Sequence, residues 1–495
     1  MKILLINPFV ERMHLELSYA ENFRPPLGLA YCASVLEAAG HTVEIIDALV
    51  QGIRFPKLRA MLRRSRPDLV GIGTYSPTRY ECFRTAQVIK DELGHDVPVV
   101  AGGPHVSAVP EDTLREVPPI DHVVRGEGDY TLLELVEVLA RGGDPASVAG
   151  VTTRVDGEVV SAPDRDNIPC LDELPRPARH LLPLRAYRLR MPSTSVAATT
   201  VLTSRGCPAR CTFCTRDWFS RQTRMHSPEY IADEVEETLR LTRVRGVIFQ
   251  DDTFTLDKQR VHGFCDEVRR RGVEFDWLAT TRADCTSPEL LKDMKAAGCK
   301  VVTFGIESML PSTLKWIQKG GTVERTRRAI GWAREAGLIV RGSYLIGIGE
   351  ESEQDVRESV RLARELPIDK LKANVGLSVY PGTPLYPMAI QAGILPEGYS
   401  YARGWQDPNL RYGNGETPRW YTPHVPLKRL LELRRETEVN VLFTRPSVRT
   451  LWHRGRKLGG RLRRHPRETL RQVSQLAGAV LGGSELRRHS SSSTQ

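Results

Sequence analysis

The chain of 495 residues lacks the features of a membrane-spanning or secreted protein. No apolar run reaches the roughly 18–20 residues that cross a bilayer. The first ten residues, MKILLINPFV, hold too short an apolar stretch for a signal peptide. A disulfide framework is also missing, because six of the nine cysteines are scattered: Cys32, Cys82, Cys170, Cys265, Cys285 and Cys299. We therefore expect a cytoplasmic protein.

The chain before residue 444 has no excess of basic residues, although the formal net charge of the whole chain is +10. The segment 444–495 holds 12 Lys and Arg against 2 Glu, which leaves 58 charges of each sign in the rest of the chain. We interpret this tail as a helix docked on the body with a solvated basic face, ending in a disordered HSSSSTQ. Peripheral contact with an anionic membrane surface is the alternative. Nucleic acid is disfavoured, because basic residues alone do not read bases.

Residues 1–140 alternate short apolar strands with helical stretches. We predict strands at 2–7, 42–47, 69–73, 97–103 and 121–128. The alternation predicts a parallel, doubly wound sheet, in which ligands bind beyond the carboxyl ends of the strands. Glycines are frequent at those ends, at 102–103 and 126–128, and they let the backbone approach a large ligand closely.

A second strand–helix series follows a hairpin at 149–161 and a Pro-rich linker. We predict its strands at 197–204, 246–250, 276–280, 300–306, 339–347 and 372–380. Six such units predict a partial barrel with its chemistry at the carboxyl ends of the strands. The mixed, aromatic-rich segment that follows is expected to close the barrel mouth.

Three cysteines lie together directly after the first barrel strand, in SRGCPARCTFCTRDW. Cys207, Cys211 and Cys214 form a C-x3-C-x2-C pattern, in which one short loop wraps three thiolates around a corner of a [4Fe–4S] cluster. Three ligands leave the fourth iron open for a substrate-like molecule. A zinc site is the alternative, but it usually takes four ligands, and no nearby His or Cys completes it. Arg205 and Arg210 favour the thiolates.

This loop, with Phe213 before its last cysteine, resembles the radical S-adenosylmethionine (SAM) superfamily, and residues 196–380 resemble its barrel. The resemblance implies that SAM binds the open iron, and that its reductive cleavage gives a 5′-deoxyadenosyl radical. It also implies SAM-binding residues at successive strand ends: Phe213, Gln250, Asp251, Asp252, Arg282, Glu307, Ser308 and Gly347. Taken singly, each acidic residue is better explained as a helix cap or an ion-pair partner, but their recurrence at successive strand ends favours a functional role.

The arrangement over residues 1–440 resembles cobalamin-binding radical enzymes, through INP, RPPLGLAYCASVLEAAGH, GGPH, VRGEGD and LDELPRPA. A D-x-H-x-x-G signature is absent, so the resemblance implies base-off cobalamin with no histidine on cobalt. The implied cobalamin-binding residues are Asn7, Pro26, Leu27, Gly28, Thr74, Tyr75, Ser76, Gly102, Gly103, His105, Gly126, Glu127 and Gly128. The alternative is a domain that binds a nucleotide or nothing, although a G-x-G-x-x-G pattern is missing after the first strand.

These patterns together predict an α/β protein of five segments. They are a doubly wound, Rossmann-like cobalamin-binding domain (1–145), a hairpin and Pro-rich linker (146–195), and a partial (β/α)6 TIM-like barrel for radical SAM chemistry (196–385). A barrel-closing segment (386–443) and a basic helical tail (444–495) make the C-terminal region mostly helical.

The function that the resemblance implies is methylation of an unactivated carbon in a small molecule, of secondary-metabolite or lipid-like type. Its cofactors are a [4Fe–4S] cluster, SAM and cobalamin, and its electron donor is of the flavodoxin or ferredoxin type. A radical cyclase or ring-rearranging oxidoreductase, similar to the anaerobic porphyrin-ring cyclases, is the alternative. Transfer-RNA methylthiolation would need three more clustered cysteines upstream. A non-catalytic cobalamin or redox sensor also remains open, and no catalytic residue is identified.

Overall fold

The computed structural model describes residues 1–10, 23–215, 222–407, 409–410 and 417–443, and it describes side chains up to residue 437. Residues Met1–Glu438 form one compact unit. The predicted basic tail, 444–495, lies outside the described residues. Within the part that is described, no helix is both long and apolar enough to span a membrane.

Seventeen strands are numbered in chain order through the described residues. They are β1 (Lys2–Asn7), β2 (Thr42–Asp47), β3 (Leu69–Gly73), β4 (Val99–Gly102), β5 (His122–Val124), β6 (Val151–Val155), β7 (Glu158–Ser161), β8 (Ala198–Val201), β9 (Ser204–Arg205), β10 (Arg224–Met225), β11 (Gly246–Phe249), β12 (Asp276–Thr281), β13 (Cys299–Glu307), β14 (Ile339–Ile346), β15 (Lys370–Val375), β16 (Leu377–Ser378) and β17 (Arg419–Trp420).

The α-helices are numbered in the same way. They are α1 (Leu27–Ala38), α2 (Ala48–Gln51), α3 (Phe55–Ser65), α4 (Arg79–Leu93), α5 (Pro104–Ala108), α6 (Pro110–Glu116), α7 (Gly128–Ala140), α8 (Pro228–Thr242), α9 (Lys258–Arg271), α10 (Pro288–Ala296), α11 (Pro311–Trp316), α12 (Val323–Glu335), α13 (Glu353–Glu365), α14 (Leu385–Gln391) and α15 (Leu427–Phe443).

The N-terminal sheet has the order β2-β1-β3-β4-β5-β6-β7. Strands β1 to β5 are parallel, which confirms the doubly wound prediction. The hairpin β6–β7, which the sequence analysis assigns to the linker, belongs to this sheet instead and pairs antiparallel with β5. Side-chain contacts hold the hairpin there, since His122 Nδ1 lies 2.7 Å from the Thr153 hydroxyl and the Arg154 guanidinium donates to the Ile120 carbonyl at 2.6 Å.

The second sheet has the order β15-β14-β13-β12-β11-β8, and all neighbouring strands are parallel. The six-stranded partial barrel is thereby confirmed. The sixth strand, predicted as continuous over 372–380, breaks after Val375. Gly376 takes a left-handed φ of +62°, and a Cβ there would lie 2.7 Å from the Trp420 carbonyl oxygen. The break lets β16 pair with β17 instead.

The segment predicted to close the barrel also reaches the N-terminal domain. Ala402 and Trp405 are buried in the apolar core between the N-terminal sheet and its helices. The Trp405 indole N–H donates to the Glu116 carbonyl oxygen at 2.8 Å. The backbone carbonyl of Tyr401 accepts from the buried guanidinium of Arg79, also at 2.8 Å. This segment therefore ties the two sheets together.

Candidate functional site

The cysteine loop, residues 206–215, leaves the barrel through a short two-stranded ribbon. Strand β9 pairs antiparallel with β10, and Gly206 then turns the chain with a φ of +89°. Within the loop, the Thr212 backbone N–H donates to the Ile317 carbonyl at 3.0 Å, and its carbonyl accepts from Leu385 at 2.8 Å. The loop is therefore fixed by backbone bonds on both sides.

The three thiols differ in their surroundings. Cys211 is buried, Cys207 is half-buried and Cys214 is exposed. The surrounding protein raises the pKa of the Cys214 thiol to about 12, and the nearby charge of Asp252 contributes to the rise.

Two cations lie beside Cys211. Burial raises the pKa of this thiol, while Lys319 and Arg282 act in the opposite direction. The Arg282 guanidinium approaches the Cys211 sulfur at 3.9 Å. It also binds both carboxylate oxygens of Asp284, at 3.0 and 2.8 Å. These contacts hold positive charge against the loop, which offsets part of the cost of burying a thiolate there.

The donor set fits an iron–sulfur cluster better than a zinc ion. In the described part of the chain, no three His, Cys, Asp or Glu side chains converge as ligands of a single metal ion. A cubane cluster binds each thiolate to a different iron, so its ligands need not converge on one point. Three thiols on one loop match a [4Fe–4S] cluster with one open iron, whereas structural zinc takes four ligands.

At the end of β13, Glu307 has the strongest signs of a functional role among the predicted SAM-binding residues. Its backbone φ is +63°, which is unfavourable for a side chain of this size. Burial raises the pKa of its carboxyl group, and Lys319 pairs with it at 3.4 Å. A Cβ on Gly305 would lie 2.8 Å from both the Glu307 carboxylate and the Lys319 ammonium group. The bare backbone of Gly305 thus makes room for this pair.

The second barrel strand presents three polar residues that differ in role. Asp251 is buried and accepts hydrogen bonds from Thr203 and Ser204, so it braces the start of the cysteine loop. Gln250 accepts from the Arg24 guanidinium of the N-terminal domain at 3.2 Å. Asp252 is exposed, and its negative charge lies close enough to Cys214 to raise the pKa of the Cys214 thiol.

The remaining predicted SAM-binding residues are largely engaged within the protein. Phe213 packs against the apolar cluster of β14 and α14. Ser308 is buried, and its hydroxyl accepts from the Leu310 N–H at 3.1 Å. The Gly347 N–H donates to Glu351 at 2.7 Å, and a Cβ there would lie 2.6 Å from Leu430. Gly347 is therefore explained by packing.

In the N-terminal domain, the residues near the strand ends include glycines with free space around them and an exposed tyrosine ring. Gly28 has nothing within 4 Å of a Cβ position, and Gly102 has only ordinary contacts. Tyr75, which follows β3, exposes 54% of its surface. Gly126, with a φ of +67°, donates its N–H to Ser107 at 3.1 Å. These residues fit a large cofactor.

His105 lies in the interior of the N-terminal domain. It is fully buried, its Nδ1 lies 3.0 Å from the Ser76 hydroxyl, and its ring meets Tyr401 edge-on at 5.9 Å. Burial and the charge of Arg79 hold its pKa well below the usual range, so the ring is neutral. His105 is therefore placed to support Ser76.

Other residues implied in cobalamin binding already have partners. Asn7 donates to Asp47 at 2.8 Å. Gly103 has a φ of +107°, and a Cβ there would lie 2.7 Å from the Thr74 carbonyl, so its glycine is explained by the chain itself.

The rest of the implied cobalamin set lies on or beside α1 and α7. Leu27 is buried at the start of α1 next to Pro26, and Gly128 begins α7 beside Cys32. Glu127 is paired with Arg224, which is 97 residues away along the chain.

The sequence analysis missed Lys319 and Arg24. Both matter through partners that are remote in sequence, and only the RPPLG motif gave a local signal for Arg24.

Two family models match the chain: the radical SAM superfamily at residues 201–363, and the B12 binding domain at residues 17–136. An uncharacterized methyltransferase of Pyrococcus horikoshii is 36% identical over 396 residues, which covers 80% of this chain and 84% of the relative. An anaerobic magnesium-protoporphyrin IX monomethyl ester cyclase of Rubrivivax gelatinosus is 30% identical, over 74% of this chain and 66% of the relative.

Among solved structures, the radical SAM methyltransferase TsrM from Kitasatospora setae, with cobalamin and a [4Fe–4S] cluster bound, superposes with a TM-score of 0.68. The two are 20% identical, and the match covers 89% of this chain and 88% of that one, so this likeness concerns the fold. The sequence matches and the paired cysteine-loop and glycine-rich sites together show that the chain belongs to the cobalamin-binding radical SAM enzymes.

Proposed function

We propose that this enzyme is a cobalamin-dependent methyltransferase that methylates an unactivated carbon of a small molecule. The observation that carries the proposal is the hydrogen bond between Arg24 and Gln250 at 3.2 Å. It joins the start of α1, in the implied cobalamin site, to the end of β11, in the implied SAM site. The two cofactors would therefore face one another across one cleft.

When bound, a [4Fe–4S] cluster with SAM supplies a hydrogen-abstracting 5′-deoxyadenosyl radical, and cobalamin supplies the methyl group. The protein provides position and the exclusion of water. Cys207, Cys211 and Cys214 would hold the cluster. Arg282 and Lys319 would keep positive charge beside it, and Glu307 would contact SAM.

On the cobalamin-domain side, Tyr75, Gly126 and the open backbone at Gly28 and Gly102 would hold cobalamin. Tyr75 would contact cobalamin directly, because its ring is accessible, whereas the buried His105 would act only through Ser76.

The proposal is tested by anaerobic incubation of the reconstituted enzyme with metabolite extracts and methyl-deuterated SAM. We expect a product whose mass includes the labelled methyl group, formed only when cobalamin is present. The Cys207→Ala enzyme, with the same cobalamin supply, serves as the control. A product that lacks the label and has lost hydrogen would instead identify a cyclase.

The cyclase remains a second candidate, because the relative that is 30% identical, from Rubrivivax gelatinosus, is a cyclase. Sensor function without catalysis is a weaker alternative. It predicts cofactor binding without consumption of SAM.

The electron donor of the proposed reaction would dock beside the cysteine loop. An open depression of about 680 Å³ is lined by the loop residues Pro208, Ala209 and Arg210 together with the 314–324 segment. Arg210 and Lys315 are exposed there, which favours an acidic one-electron carrier of the flavodoxin or ferredoxin type.

The tail would add a location signal. Its charge excess and interleaved leucines are suited to an anionic membrane surface, and the docked-helix interpretation is its rival.

A further inference from the structure

Four charged side chains lie buried between the cysteine loop and the N-terminal domain. They are Glu127, Asp129, Arg205 and Arg224, here called the interdomain charge cluster, and none is more than 8% exposed. Two come from the end of β5 and the start of α7, and two from the β9–β10 ribbon. The cluster has no net charge.

The contacts within the interdomain charge cluster are bidentate. The Arg205 guanidinium binds both oxygens of Asp129, at 2.7 and 3.1 Å. The Arg224 guanidinium binds both oxygens of Glu127, at 2.7 and 2.9 Å. Forked pairs of this kind fix orientation as well as distance.

Two further contacts brace the cluster. The Ile168 backbone N–H donates to Glu127 at 2.9 Å, and the Ile168 carbonyl accepts from Arg224 at 2.7 Å. The Arg205 guanidinium also lies 5.3 Å from the centre of the Tyr31 ring. Every carboxylate in the cluster thus has at least two donors.

Stability alone does not account for such a cluster. A buried ion pair is often no more stable than apolar residues of similar volume, because desolvation offsets the attraction. The location is more informative. Arg205 and Arg224 face each other in the ribbon from which the cysteine loop emerges, and Cys207 follows Arg205 by two residues.

We propose that the interdomain charge cluster is a positioning device, which sets the orientation of the cysteine loop relative to the cobalamin-domain loop 125–129. Its arginines and Asp129 are positioning residues, since their side chains are engaged with one another. The inference rests on the proposed function, because the orientation of the two sites matters for catalysis only if both cofactors must reach the same substrate carbon. Its first test is independent of that function.

The test removes one pair without leaving a buried charge. The double variant Arg205→Met with Asp129→Leu replaces the pair by apolar side chains, a change that commonly preserves folding. The matched control is Arg179→Met with Glu234→Leu. That pair is equally buried, at 2.7 Å, but joins the linker to α8 and makes no ion pair with Arg205 or Asp129. Tyr31, which lies beside both Glu234 and Arg205, is left in place in both variants.

Amide hydrogen exchange of the cofactor-free full-length protein is measured first, together with thermal unfolding. We expect residues 206–215 to exchange about tenfold faster in the Arg205–Asp129 variant, because the local opening free energy falls. The control should leave exchange in this loop unchanged. Equal exchange in the variant and the wild type would overturn the proposal, as would an equal rise in both variants.

The magnetic interaction between reduced cluster and cob(II)alamin is then measured by electron paramagnetic resonance in reconstituted enzyme. It should change in the Arg205–Asp129 variant at full cluster and cobalamin content, and not in the control. An unchanged interaction would contradict the proposal. If the double variant does not fold, Arg205→Lys replaces it, with the same expectations in smaller degree. Lack of methylated product from wild-type enzyme would count against the proposed function only.

Discussion

At the scale of single residues, two features organise the site. A cationic side chain lies against a cysteine sulfur of the loop, and a glycine on β13 leaves room for a lysine–glutamate ion pair. Lys319 reaches over Gly305 to Glu307, and Arg282 reaches Cys211. None of these distances depends on a bound cofactor. The loop is therefore preorganised for a negatively charged ligand set.

Replacing Gly305 by alanine tests the role of that pair. The new Cβ would displace the flexible ends of Glu307 and Lys319, so we expect a change in stability within about 1 kcal/mol but about tenfold weaker SAM binding. Equilibrium dialysis of reconstituted enzyme with SAM measures the affinity. Gly331→Ala is the control, because nothing lies within 4 Å of its Cβ position. Equal SAM affinity in both variants would show that the pair does not contribute to binding.

Replacing Cys207, Cys211 and Cys214 together by alanine tests the cluster. Wild-type protein reconstituted anaerobically should bind about four irons and four sulfides per chain, and the triple variant should bind almost none. Iron and sulfide analysis with the thiolate-to-iron absorbance measures this. Exposed Cys170→Ala should keep a full cluster. A triple variant that keeps its cluster would mean that other ligands hold it.

The sequence predicted the cysteine loop because its three ligands lie within eight residues. It did not distinguish the residues that are free to contact a cofactor from those that are already bound within the protein, since the side chains that bind them are distant in sequence. His105 is buried by Tyr401, nearly 300 residues away, and Glu127 is neutralised by Arg224. Local patterns carry no information about such pairs.

At the scale of elements, alternating strands and helices determined both sheets correctly, because parallel sheets have strong periodic signals. Two boundaries depended on tertiary contacts. The β6–β7 hairpin joins the first sheet through contacts of Thr153 and Arg154 with β5 and the residues before it, and the sixth barrel strand ends at Gly376 because Trp420 and Tyr421 crowd it. Neither cause can be read from the strands themselves.

The pairing of β5 with β6 should make the first domain sensitive to acid. His122 on β5 is buried against the Thr153 hydroxyl at 2.7 Å, and burial lowers its pKa to about 4. The unfolded chain takes up a proton near pH 6.5, whereas the folded one does not until about pH 4. Stability should therefore be full above pH 6.5 and fall by up to about 3 kcal/mol toward pH 4.

Urea unfolding at pH 7 and pH 4.5 measures this loss. We expect His122→Gln to reduce the difference between the two pH values, and replacement of the exposed His95 to leave it unchanged. An equal pH dependence in the wild type and both variants would assign acid sensitivity to other groups.

At the scale of the whole molecule, segment 399–410 and the interdomain charge cluster hold the two cofactor-binding domains as one unit. The basic tail, which carries the whole charge excess, should be dispensable for chemistry. A truncation after Phe443 should still cleave SAM but lose sedimentation with anionic liposomes, since each Lys or Arg near such a surface contributes roughly 1 kcal/mol. High salt should release the full-length protein. Failure of the full-length protein to sediment at low salt would favour the docked-helix interpretation.

The central claim is that two cofactor sites act on one substrate with transfer of a methyl group. The most direct measurement is the ratio of 5′-deoxyadenosine to S-adenosylhomocysteine formed per product by the reconstituted enzyme with cobalamin. Methylation of an unactivated carbon predicts one of each, because one SAM generates the radical and a second replaces the methyl group on cobalamin. Formation of 5′-deoxyadenosine and product without S-adenosylhomocysteine would contradict methyl transfer.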